Sequence, residues 1–334
     1  MLRQLYPIPI FDDVVAFTDV GITDELAHKY YIRVAPCNET CTNANTREKD
    51  GDRICLDHME RCDTSMTSFL GSFLNKQFVA EEVSDNKARN DLRRELCGKQ
   101  VAPDEFDRMV RQRAEQLQGE WKFASAYGHQ MHALVEDFYN NRMTDAEATE
   151  KGKQHPRYFG AFLRYHKEKV VKRGWRPLRA ELRPYDRKTR LPGTIDMLYV
   201  DPLGHIIMVD WKFSKNVKPK AHHFGKFFVG VEPHLDGTDY NKYELQLNAY
   251  RFILHRETDI RIHRMYLGVF HEELSDMYDE FKVPIKQNYI EQMWRMRLTH
   301  LPAITQEQYE VAKRENRPHI LKFAIANGAK ETVD

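Results

Sequence analysis

Asp196, Asp210 and Lys212 lie in a stretch that otherwise reads as apolar, GTIDMLYVDPLGHIIMVDWKFSK (193–215). Two carboxylates converging from adjacent strands repel one another, and burial raises that cost. A hard divalent cation removes both difficulties, because Mg²⁺ and Mn²⁺ favour oxygen ligands. A lysine two residues from one of the acids does not suit a purely structural cage. It suits a reaction in which negative charge develops on a phosphate or an attacking water, which an ammonium can position or stabilise. The trio reads as a centre for metal-assisted phosphodiester hydrolysis. Two acids at strand ends, paired with nearby basic side chains, would explain the hairpin as well, and the hairpin alone leaves both readings open.

The elements that must position these groups follow from periodicity and turn chemistry. Residues 193–200 and 205–213 alternate like strands and are joined through Asp201-Pro202-Leu203-Gly204, a turn sequence. Asp210 and Lys212 then point one way, while Val209, Trp211 and Phe213 point into packing. A four-residue connector would set Asp196 opposite Val209, on the wrong face. For Asp196 to face Asp210 the connector must be odd in length, or one strand must bulge. Upstream, APDEFDRMVRQRAEQL (102–117) reads as a helix. EWKFASAYGHQMHALVEDFYNN (120–141) reads as another, with Ala124, Tyr127, Met131, Leu134, Val135 and Phe138 as its apolar stripe. Gly128, His132 and Glu136 form a second line at four-residue spacing on that helix. A helix at 156–174 leads to a first core strand in WRPLRAELRPYD, which carries Glu181. A helix at 241–257 places Gln246 and Tyr250 on one face, and strands in 260–273 and 279–285 and a helix at 287–298 follow. This order gives an α/β layout with a mixed central sheet flanked by helices.

Taken together, G-x3-H-x3-E at 128–136, Glu181, G-x-x-D at 193–196, D-x-K at 210–212 and Q-x3-Y at 246–250 resemble the RecB-like branch of the PD-(D/E)XK nuclease superfamily. YNKYELQLNAYRFIL (240–254) is also similar to nucleases of large eukaryotic DNA viruses. The resemblance covers about 120–270 and implies a restriction-endonuclease-like core. It makes His132, Asp196, Asp210 and the backbone carbonyl of Trp211 ligands of Mg²⁺ or Mn²⁺, and Lys212 the catalytic lysine. Gln246 and Tyr250 would hold the substrate backbone or a metal-bound water, and Glu181 would orient water or bind a second ion. Glu136 would fix its helix or a basic partner, and Gly128 would let the helix approach the substrate. Two departures stand out. Asp210 occupies a position where glutamate is more usual, and no cysteine follows Cys97, so the iron–sulfur cluster of several RecB-like nucleases cannot be built.

The 334 residues can bury one large core or two, and the net charge is +1. Charge is unevenly spread: 151–190 holds fourteen Lys or Arg against Glu168, Glu181 and Asp186. Such a stretch suits phosphate, though a solvated helix face also reads this way. Lys215, Lys218 and Lys220, just after the catalytic strand, are candidates for direct phosphate contact. No signal peptide or membrane span is visible, which points to an intracellular, soluble protein. Five cysteines, an odd number, argue for reduced thiols, although Cys37, Cys41, Cys55 and His58 could surround a tetrahedral Zn²⁺. The expected division is a mainly helical N-terminal region (1–115), binding substrate or a partner, a nuclease core (116–300) and a tail (301–334). The expected activity is a metal-dependent DNA exonuclease of replication, recombination or repair. An endonuclease, an RNA-cleaving nuclease and an inactive nucleic-acid-binding protein are the alternatives.

Overall fold

A computed structural model describes residues 59–300, except 77, 215–216, 221–223 and 272, together with 14–20, 26–33, 46–49, 52–55 and position 313. The N-terminal region carries strands that the apolar patterning did not announce. β1 (Val14–Val20) pairs antiparallel with β2 (Leu26–Arg33), while β3 (Thr46–Lys49) and β4 (Asp52–Cys55) form a separate hairpin. β5 (Met59–Arg61) closes the first sheet against β2. Two helices follow, α1 (Met66–Ser72), capped by the Ser65 hydroxyl, and α2 (Ala80–Glu95).

The two helices expected at 102–117 and 120–141 are one, α3 (Pro103–Tyr139), and the expected division at 115/116 falls inside it. Gly119 lies within this helix, where glycine costs about 1 kcal/mol. Packing on both sides outweighs it. Val110, Ala114 and Leu117 bury against Ala88 and Leu92 of α2, while Met131, Val135 and Phe138 bury against the sheet. Ala124, assigned to the apolar stripe, lies between these contacts and is exposed.

α4 (Asp145–Gln154) opens with a Thr144/Glu147 capping box, and α5 (Phe159–Tyr165) runs into a π-helical stretch, His166–Val171. The central sheet begins with β6 (Arg176–Leu182), shorter than the strand expected there. A small hairpin of β7 (Tyr185–Asp186) and β8 (Leu191–Pro192) interrupts it, and β9 (Ile195–Val200) and β10 (Ile206–Lys212) follow. α6 (Asp239–Glu257), capped by the Thr238 hydroxyl, carries the chain over to β11 (Ile262–Phe270), parallel to β10. β12 (Tyr278–Val283) and α7 (Gln287–His300) complete the described chain. The strand order is β12-β11-β10-β9-β6, a mixed sheet of five strands flanked by helices, which is the restriction-endonuclease-like arrangement.

β10 runs through the middle and is buried on both faces. Ile207, Val209 and Trp211 pack with α3 and α5, whereas Met208 packs with α1 and α6. Close approach at two points demands glycine. A Cβ on Gly268 would come within 2.8 Å of the Trp211 ring, and one on Gly193 would run into the ring of Tyr250.

Candidate active site

The β9–β10 register decides where the acids go. Ile206 pairs with Val200 and Val209 with Met197, so the connector is 201–205, five residues rather than four. An odd connector puts Asp210 opposite Asp196. The Asp201 carboxylate shapes this loop by accepting the amides of Leu203 and His205 at 2.9 Å each. On the other side of β9, Ala180 pairs with Met197 and Leu182 with Ile195, which sets Glu181 opposite Asp196. Three carboxylates therefore stand in one row across β6, β9 and β10. Glu181 has a left-handed backbone, φ 49°, a conformation non-glycine residues adopt only under constraint, and it breaks the strand alternation.

His132 reaches this row from α3. Its Nδ1 lies 3.6 Å from Asp196 Oδ2, and its ring meets Phe213 edge-on at 5.2 Å. One ligand atom each from His132, Glu181 and Asp196 all lie within 4.8 Å of one another. Asp196 Oδ2 also accepts the Trp211 amide at 2.6 Å. Continuing the ladder would pair Trp211 with Ile195; the Asp196 side chain takes that amide instead. In an extended strand a residue's amide and carbonyl point to the same side, so the Trp211 carbonyl opens toward β9 as well. Asp210 is 3% exposed in its side chain and meets Lys212 Nζ at 2.5 Å. The ammonium in turn stands 4.5 Å above the ring of Tyr243 on α6.

These contacts set the charges. Burial pushes Asp210 up to about 6, with Asp196 adding to the rise and Lys212 opposing it. Burial also raises Asp196, against the pull of Lys212 and the Trp211 amide. For Lys212, burial acts to remove the proton, but Asp210 and Asp196 outweigh it and hold the ammonium firmly charged. The His132 side chain keeps 32% exposure toward the cleft, yet the protein around it and the Lys212 charge push it down to about 3. It is a neutral imidazole with a lone pair to offer. Two carboxylates held near each other against their preference for protonation, beside a neutral imidazole, form a donor set that suits a hard divalent cation with some nitrogen affinity.

Gln246 and Tyr250 sit one layer behind this row. Gln246 Nε2 donates to the Tyr250 hydroxyl at 2.8 Å, and that hydroxyl also accepts the Thr194 amide at 3.4 Å. Tyr30 of β2 shares a 3.0 Å hydrogen bond with the Thr194 hydroxyl, bringing the N-terminal sheet to the turn before Asp196. Gly128, one turn from His132, has open space where a Cβ would stand. Glu136 lies near Asn140 and Arg142, 3.3 Å and 3.5 Å away, within its own helix and the turn beyond it. Lys218 and Lys220 are exposed, and Lys215 lies outside the described residues. The zinc set does too, since Cys37, Cys41 and His58 and the side chain of Cys55 are not described. Of the other thiols Cys62 is buried, and that burial pushes it up to about 12.

Sequence reasoning passed over Tyr243, Thr194 and Tyr30. Tyr243 had a signal, because it precedes Gln246 by three and Tyr250 by seven and so shares their face. Tyr30, 164 residues from its partner, had none.

A mixed sheet carries a row of acids and a lysine on its central strands, and a histidine reaches that row from α3. Residues 107–319, more than half the chain, match the PD-(D/E)XK nuclease superfamily, and the chain belongs to that superfamily. It is a nuclease of metal-binding type. No curated protein matches it. Among the described residues no helix is long and apolar enough to cross a membrane.

Proposed function

We propose that the chain is a divalent-metal-dependent DNA exonuclease of the RecB-like branch, serving replication, recombination or repair. The observation that carries the hydrolytic centre is the row Glu181, Asp196, Asp210 with Lys212 on the same strand face as Asp210. His132, Asp196, Asp210 and the Trp211 carbonyl would hold Mg²⁺ or Mn²⁺, and Glu181 would take a second ion or orient water. A bound cation supplies Lewis-acid polarisation of the phosphate and a more acidic water.

The chain's own groups then have distinct tasks. Lys212, kept charged and fixed between Asp210 and the Tyr243 ring, faces the attacking water and the developing phosphate charge. Neutral His132 presents a lone pair without adding positive charge. Gln246 locks the Tyr250 hydroxyl, and Tyr250 fixes the Thr194 turn that presents Asp196. Gln246 and Tyr250 act on the substrate through that turn or by holding its backbone. Lys215, Lys218 and Lys220 contact phosphates beyond the cut.

Preference for DNA ends is supported by a clasp between the N-terminal region and the chain after β10. Asn75 donates from Nδ2 to the Gly225 carbonyl at 3.2 Å and accepts the Phe227 amide at 2.9 Å, while the Val229 amide donates to the Phe73 carbonyl at 2.7 Å. Phe78 then meets Trp121 of α3 edge-on at 5.7 Å. Trp121, Gly128 and His132 share one α3 face, with Trp121 about 16 Å along the helix from His132, and a path along that face to the site would suit threading a strand end. Closed-circular and end-labelled linear DNA, each with Mg²⁺ or Mn²⁺, test this. Loss of linear DNA alone is expected; cutting of the circle would make the enzyme an endonuclease, and cleavage of RNA alone would move the substrate class.

A further inference from the structure

An exposed aromatic corner forms where the Asn75 clasp meets α3. Phe78 keeps 58% exposure and its neighbour Val79 keeps 39%, although α2 begins just beyond them. The Phe78 ring meets Trp121 edge-on at 5.7 Å, and the Lys226 ammonium stands 5.8 Å above the same ring. The Lys76 ammonium lies beside Gly225, 3.5 Å from where a Cβ on that glycine would stand. Among the described residues neither Lys76 nor Lys226 reaches a carboxylate.

The corner stands at one end of an open stretch of α3. Towards the helix start α2 covers this face, over Val110, Ala114 and Leu117, with Trp121 partly buried at the edge of that contact. Helical spacing carries the face on through Ser125 and Gly128 to His132, about 16 Å along the axis from Trp121. Ser125 is exposed, and Gly128 has open space where a Cβ would stand. His129, at the edge of the face, folds back on its own helix, Nδ1 donating to the Ser125 carbonyl at 2.8 Å. α3 thus leaves a lane of small residues between the aromatic corner and the histidine of the carboxylate row.

We infer that Phe78 and Trp121 form a base-stacking site for a single strand of DNA, with Lys226 and Lys76 on its phosphates. Exposed rings beside ammonium groups that lack carboxylate partners match a nucleotide, whose base offers a flat π-face and whose backbone is anionic. Stacking needs an unpaired base, because a paired base spends its faces on its neighbours in the duplex. The site therefore favours a single strand, tolerates any sequence, and holds the strand about 16 Å from His132. It rests on the proposed DNA-nuclease function and adds to it the form of the substrate.

Binding by the full chain in EDTA, where no cleavage occurs, tests the site with two labelled probes of equal length. One is oligothymidylate; the other is an abasic strand that keeps the phosphates and lacks the bases. The parent should bind oligothymidylate more tightly than the abasic strand. Phe78→Ala should weaken oligothymidylate binding by roughly 5-fold or more, the loss of one stacked base, and leave the abasic strand unchanged. Phe78→Tyr, which keeps the ring, should hold the parent affinity, and Lys226→Gln should weaken both probes alike. Phe78 is exposed, so its variants should melt close to the parent. Trp121 gives an independent reading, because the other three tryptophans, Trp175, Trp211 and Trp294, are buried. Oligothymidylate should quench its emission, the abasic strand should not, and Trp121→Phe should abolish the change. Equal affinity of the parent for the two probes, or equal losses on both in Phe78→Ala, would overturn the stacking site and leave the nuclease function standing. Failure of the parent to bind either probe would overturn both.

Discussion

At the scale of single residues the account turns on how one lysine and one aspartate are held. Lys212 is pinned from two sides, by Asp210 and by the face of Tyr243. Tyr243→Phe keeps the ring and should leave cleavage near the parent rate. Tyr243→Leu removes a cation–π contact worth about 0.5–2 kcal/mol, so kcat should fall by roughly 2- to 30-fold with little change in KM. Asp210 makes a prediction in pH. Its folded value, about 6, lies above its ordinary 3.8, so the folded state holds the proton more tightly than the unfolded chain. Its contribution to stability is full below about 4 and is lost as pH rises through 6. Lys212, held charged throughout that range, does not alter the window. In EDTA the parent chain should therefore lose stability between pH 4 and 6 relative to Asp210→Asn, by up to about 3 kcal/mol. Mn²⁺, which needs the carboxylate ionised, should raise Tm at pH 7.5 far more than at pH 5. Parallel pH–stability curves for the two proteins would contradict this.

At the scale of elements, the site depends on register and on a few tight contacts. The acids were legible because they interrupt apolar alternation, and parity called for an odd connector or a bulge, of which the five residues 201–205 supply the first. Helical spacing set His132 in line with Gly128 and Glu136, and Gln246 on one face with Tyr250, while their roles came only from the resemblance to RecB-like nucleases. What spacing could not reveal is how neighbours from distant parts of the chain complete those elements. The continuity of α3 through Gly119 comes from α2 on one side and the sheet on the other. The left-handed Glu181 follows from strand pairing that a single strand's pattern does not encode. Gly193 illustrates such a contact. It read as the first residue of G-x-x-D, and its physical role is to admit the Tyr250 ring beneath the turn. Gly193→Ala must displace a ring that is 2% exposed, which should cost about 1–3 kcal/mol in urea denaturation and slow cleavage by moving Asp196. Equal midpoints for the two proteins would show that the turn is looser than this packing implies.

At the scale of the whole molecule, the N-terminal region is joined to the nuclease core at two places that bear on the site. Tyr30 reaches Thr194, and Asn75 clasps the 225–227 segment. Neither contact was readable beforehand, since each joins residues about 150 or more apart in sequence. Asn75→Ala removes two hydrogen bonds from the clasp while leaving the carboxylate row intact. Hydrogen exchange should quicken at 225–228 without a matching change in the core strands, and the preference for linear over circular DNA should shrink. An unchanged preference together with a loosened segment would separate the clasp from end recognition. The central claim, that the row of acids and Lys212 together hydrolyse phosphodiesters, is tested most directly by single-turnover cleavage of linear DNA with Mn²⁺ by the parent, Asp196→Asn and Lys212→Ala proteins, each checked for native circular dichroism. The account predicts cleavage by the parent and losses of roughly 100-fold or more in both variants. A folded Lys212→Ala protein that cuts at the parent rate would contradict it.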